Sequence, residues 1–269
     1  MESMFSEFSY GYALTEEIAS GKLGPLIGCP IFPSLRSEGN IGGGYDVKIP
    51  LVGMPLFLQF KLSHYLSRSN AKEWRDFSRP YYRFYLRPSK YSIQHKLLID
   101  LSHIHEVYYA APEFHKNSEL SDAYINHQVF EKTAFLDPKD IGYLPDDNLH
   151  YIVFCKYNKW AYLHSDDIQR VGPLIFGKTF WETQSLKIND RKTKIDENFF
   201  ENLTLGMISM IKNNTYEFHQ LQVLQTEAQN KGRNLREKAQ FLAYISRVYF
   251  DAELFIVGNS ADIAKHELN

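Results

Sequence analysis

Three side chains between positions 42 and 61 could do chemistry together: Asp46, Gln59 and Lys61. Gln59 and Lys61 stand two positions apart in the apolar run Leu56-Phe57-Leu58-Gln59-Phe60-Lys61-Leu62. Strand side chains alternate faces, so Phe57, Gln59 and Lys61 share one face and Leu56, Leu58, Phe60 and Leu62 the other. A hard divalent cation such as Mg2+ or Mn2+ takes oxygen ligands. The Asp46 carboxylate, the Gln59 amide oxygen and the Phe60 backbone carbonyl are three such donors. Lys61 beside them could position or deprotonate a water, or stabilise developing charge. The same residues admit a second use, in which Asp46 is the counter-charge that a lysine in a buried strand requires.

The elements that would position these residues can be read in outline. Leu14 and Ile18 are one turn apart in a helix over residues 8–20, which Gly21 stops. Residues 21–44 are rich in Gly and Pro and read as loop. The run Gly42-Gly43-Gly44 opens a strand carrying Asp46, and the Gln59/Lys61 strand follows as the second arm of a hairpin. The stretch after Lys61 reads as irregular or helical. A helix over 93–101 and a buried strand over 106–112 complete the order helix, strand, strand, helix, strand, an α/β core with a mixed central sheet. The core is assigned to residues 1–116. Residues 117–269 form an α+β C-terminal region, with a helix within 122–132, paired strands at 150–156 and 159–164, a helix over 233–250 and a strand over 252–257.

Bulk composition is that of an ordinary soluble chain, 269 residues with a formal net charge of −2. No apolar run is long enough to span a bilayer, and the acidic N-terminus is unlike a basic signal peptide. Cys29 and Cys155 offer neither a disulfide framework nor metal-ligand spacing, so a cytoplasmic setting is expected. The net charge gives no argument for nucleic acid, but its distribution does. Between Lys61 and Lys96 nine basic residues face only Glu73 and Asp76, a local charge of +7 interleaved with aromatic rings. Arg68, Arg79 and Arg83 in that stretch suit phosphate contacts, and the rings suit base stacking. The alternative is a solvated face over the edge of an aromatic core. His103 and His105 are expected in a turn between helix and strand.

Asp46 followed by Gln59-Phe60-Lys61 resembles the signature of the restriction-endonuclease-like nuclease superfamily: Asp, a gap, then Glu or Gln, any residue, Lys. The element order over about residues 8–115 is similar to that superfamily's core. The resemblance implies a Mg2+- (or Mn2+-) dependent endonuclease that hydrolyses phosphodiester bonds, in DNA more than RNA. It implies Asp46, Gln59 and Lys61 as catalytic residues, and adds Glu17 of the first helix to the metal set of Asp46, Gln59 and Phe60. Gln94 would contact substrate or metal-bound water. A role in host defence, a homodimer or a partner defence protein are further implications. Two departures stand out. Tyr45 occupies the position of the usual proline, and neutral Gln59 replaces the usual acid, which weakens the hold on a cation. The rival reading is a catalytically inactive protein of the same fold that binds nucleic acid or a protein partner.

Overall fold

The computed structural model describes residues 1–20, 51–165, 168–190, 193–214, 218–230 and 233–258. Asp46, its expected strand and the 21–44 loop lie outside the described residues. In chain order the elements are α1 (Glu7–Ala19), β1 (Leu51–Phe60), β2 (His64–Leu66), α2 (Trp74–Phe77), β3 (Tyr81–Leu86), α3 (Gln94–Ser102), β4 (Glu106–Pro112), α4 (Asn117–Ile125), β5 (Thr133–Leu136) and α5 (Pro138–Ile141). They continue with β6 (His150–Phe154), β7 (Trp160–His164), β8 (Ile168–Pro173), β9 (Ile175–Phe176), α6 (Gly177–Asp190), β10 (Lys194–Ile195), α7 (Glu197–Asn214), α8 (Phe218–Ala228), α9 (Leu235–Phe250) and β11 (Glu253–Gly258). The chain is mixed α/β with a mixed sheet. Among the described residues no helix is long and apolar enough to cross a membrane.

The chain divides into two units. The first comprises Met1–Ile18, Leu58–His103 and Val107–Thr183. Its helix α1 starts where the Ser6 hydroxyl accepts the Ser9 N–H at 3.1 Å, a side-chain cap for an otherwise unmatched donor. Tyr10, Leu14 and Ile18, spaced one turn apart, are wholly buried. Phe60, the last residue of β1, packs edge-on to Tyr10, with ring centroids 5.9 Å apart. Gly11 makes room for it, since a Cβ there would fall 2.5 Å from the Phe60 ring. Gly11→Ala is therefore expected to cost about 1–3 kcal/mol through overpacking, read as a lowered midpoint in chemical unfolding.

β4 is buried along its whole length, as a strand covered on both faces must be. It pairs antiparallel with β5 through Tyr109↔Leu136 and Pro112↔Thr133, and β5 pairs with β9. Those partners stand on either side of the 116/117 boundary expected from sequence, which falls inside the first unit because the ladder crosses it. His103–His105 lies between α3 and β4, as expected of a turn.

The basic stretch after Lys61 differs most from expectation. In place of an irregular or helical segment it supplies two strands and a one-turn helix. β2 and β3 join a separate antiparallel sheet of order β2-β3-β6-β7-β8. The cause is the run Tyr81-Tyr82-Arg83-Phe84-Tyr85-Leu86, whose aromatic residues favour a pleated surface. Phe84 and Leu86 face the core with Ile152, Phe154 and Leu163. On the other face Phe77, Tyr81, Val153 and Cys155 form a small cluster under Trp74 and Tyr162. The β6–β7 pair follows expectation, with Tyr151 opposite His164.

The second unit comprises Ala19–Phe57, Ile104–Glu106 and Gln184–Asn269. Here β10 pairs antiparallel with β1 through Leu51↔Ile195, and β11 also pairs with β1. α9 begins at a reciprocal cap between Asn234 and Glu237 and ends at Asp251 in the left-handed region, φ 53°. Ala239, Leu242 and Ile245 are its buried stripe, close to the helix read from sequence. Lys238 reaches Glu201 of α7 at 2.8 Å.

Candidate functional site

Gln59 and Lys61 both belong to the first unit. Gln59 is 1 % exposed within β1. Lys61 stands one residue beyond the end of β1, half-buried, and its backbone N–H donates to the Ala110 carbonyl at 2.9 Å. That bond continues the chain alongside β4 and fixes where the lysine side chain departs. Its Nζ lies 5.7 Å from the centroid of the Tyr109 ring, within range of a cation–ring attraction.

Behind Tyr109 is a polar relay that sequence reading missed. The Tyr109 hydroxyl and His95 Nδ1 are 2.7 Å apart, and His95 Nε2 is 2.9 Å from the Gly142 carbonyl. A carbonyl only accepts, so Nε2 carries the proton and Nδ1 accepts from Tyr109. Burial lowers the His95 pKa to about 4; the bond to Gly142 opposes the fall, and the nearby charges of Lys61 and His150 add to it. The imidazole is therefore neutral near pH 7. Because the native state resists a proton that the unfolded chain accepts, stability is complete above about pH 6.5 and declines as pH falls from 6.5 towards 4. Thermal unfolding across that window should show a decline that His95→Gln reduces.

Glu17, expected in the metal set, is engaged within the protein. It is fully buried, and its two carboxylate oxygens accept the backbone N–H groups of Val129 at 2.8 Å and Phe130 at 2.9 Å. Its hydrogen bonding holds the segment between α4 and β5 against α1. Phe60, expected to lend a carbonyl, has its ring in the core beside Gly11. Among the described residues no group of three or more His, Cys, Asp or Glu could hold a metal ion. Of the expected donors, the described residues hold the Glu17 carboxylate, the neutral amide of Gln59 and the Phe60 backbone carbonyl; Asp46 lies outside them.

The expected substrate contacts separate into two kinds. Arg68 and Arg79 are exposed. Arg83 is committed within the protein: its guanidinium donates to Glu73 Oε1 at 2.6 Å and lies 4.2 Å from the Tyr151 ring centroid. Buried Glu73 also accepts from the Tyr81 hydroxyl at 2.6 Å. Burial alone would raise the Glu73 pKa, but the Tyr81 hydrogen bond and the Arg83 charge outweigh it and the net direction is down. Gln94, the first residue of α3, is half-buried, and its backbone N–H donates to Ser92 Oγ at 3.3 Å. No family model matches the chain, and neither does any curated protein or solved structure.

Proposed function

We propose that the chain is a metal-dependent nuclease acting on DNA, with the phosphodiester engaged at the Lys61 end of β1. The observation that supports this reading is the placement of Gln59 and Lys61. A buried amide and a half-buried amine stand two residues apart where β1 ends beside β4. Asp46 and Gln59 would hold Mg2+ or Mn2+, which when bound polarises a phosphoryl oxygen and lowers the pKa of a bound water. Lys61 brings a positive charge to the phosphate, and neutral His95 with Tyr109 keeps a second cation away from that amine. The test is cleavage of plasmid, linear and single-stranded DNA and of RNA with Mg2+ or Mn2+, beside Asp46→Ala and Lys61→Ala. Equal cleavage by wild type and both variants would exclude this site.

A second reading is supported by the hydrogen bonding of Glu17 and the neutrality of Gln59. A site with one carboxylate holds a divalent cation weakly. The chain would then bind nucleic acid without cutting it, and the same assay would show retention of substrate with no cleavage in any metal.

A further inference from the structure

We propose that the β6–β7 end of the five-stranded sheet is a binding platform for single-stranded nucleic acid, distinct from the Lys61 site. The turn sequence Lys156-Tyr157-Asn158-Lys159-Trp160 supplies its centre. Tyr157 is 68 % exposed and Trp160 36 % exposed. Each carries cations. Arg79 lies with Cζ 5.4 Å and Lys156 with Nζ 5.3 Å from the Tyr157 centroid, and Arg170 Cζ is 4.4 Å from the Trp160 ring. Four neighbouring strands contribute: Arg79 precedes β3, Lys156 and Tyr157 follow β6, Trp160 begins β7, and Arg170 lies on β8.

The backbone beneath is tied down before any ligand arrives. Asn158 N–H donates to the Cys155 carbonyl at 3.0 Å, and Leu174 N–H to the Lys159 carbonyl at 2.9 Å. Lys156 N–H donates to Glu113 Oε1 at 2.7 Å. Rings held on a fixed turn lose little freedom on binding. Arg79, Lys156, Lys159 and Arg170 are all exposed, while the Glu113 carboxyl is half-buried and engaged with the turn. A polyanion is the complementary partner. The rings narrow the choice, because an acidic peptide needs only the cations, whereas exposed bases stack on aromatic faces and their phosphates meet the cations. A duplex keeps its bases stacked on one another and offers no face to either ring.

This inference rests on the nucleic-acid part of the reading above and not on cleavage. The test therefore uses the full chain without divalent cation. Anisotropy of end-labelled oligothymidylate and oligouridylate is measured together with quenching of tryptophan fluorescence, with a duplex and polyglutamate as competitors. Tyr157→Ala and Trp160→Ala should each weaken binding of whichever oligonucleotide is held by about tenfold. Arg79→Ala and Arg170→Ala should each flatten the salt dependence by about 0.7 in slope. Circular dichroism confirms that these surface variants fold. Binding is read without divalent cation, where no cleavage occurs, which separates failure here from failure of the cutting site. No binding of either strand, equal binding by the ring variants, or displacement by duplex or polyglutamate as readily as by single strand would overturn the proposal.

Discussion

Replacing Lys61 by alanine is expected to lower Mg2+-dependent cleavage by about 10²–10³-fold while the protein stays folded. The fold survives because the structural bond at this position is made by the backbone. The Lys61 N–H reaches the Ala110 carbonyl at 2.9 Å, and alanine keeps that donor. The activity goes because the amine is the cation that the described part of the site contributes. His95 cannot replace it, since its pKa of about 4 keeps it uncharged and its Nε2 proton is given to Gly142. Lys61→Arg should restore charge but not activity, because a planar fork does not reproduce a compact ammonium. The checks are kcat/KM on the preferred substrate and a thermal melt of each variant. A melt unchanged from wild type, with cleavage lost, would tie the effect to chemistry.

Glu17→Ala should destabilise the protein by about 3–6 kcal/mol, as two buried charge-assisted hydrogen bonds are removed at once. The amides of Val129 and Phe130 would be left in the core without the acceptor that now satisfies both. Glu17→Gln should cost less, because its single amide oxygen can still accept one of them. Urea unfolding measures both. This pair of variants separates a structural carboxylate from a metal ligand. If Glu17→Ala kept full stability and instead raised the Mg2+ concentration needed for cleavage, the residue would return to the metal set.

The sequence carried some of this in plain form. Leu14 and Ile18 mark α1, and the apolar run ending in Pro112 gives β4 the bounds that the structure shows, because both elements advertise themselves through short-range periodicity. The β6–β7 pair was legible for the same reason. The segment 61–96 was not. Arginines and lysines every few residues obscure the aromatic alternation of β3, and its partner β6 lies some seventy positions away. The hydrogen bonds of Glu17 were likewise hidden, because their donors, Val129 and Phe130, lie more than a hundred positions away. His95 could be seen as one of several histidines, but its neutrality comes from burial, which local spacing does not announce. Tyr157 and Trp160 form a ring-and-cation pattern in a turn that lies outside the charge-rich stretch from Lys61 to Lys96.

Both polar anchors of α1 come late in synthesis. Val129 follows Glu17 by 112 positions, and Thr133, which meets the Tyr10 hydroxyl at 3.0 Å, follows Tyr10 by 123. On a ribosome adding about 5–20 residues per second, roughly 6–25 s separate synthesis of the helix from synthesis of these partners. Throughout that interval the polar partners of Glu17 and Tyr10 are missing, although Phe60, which packs on Tyr10, is made earlier. The apolar stripe of α1 therefore lacks part of its native cover while the chain elongates, the kind of transiently exposed hydrophobic surface that chaperones bind.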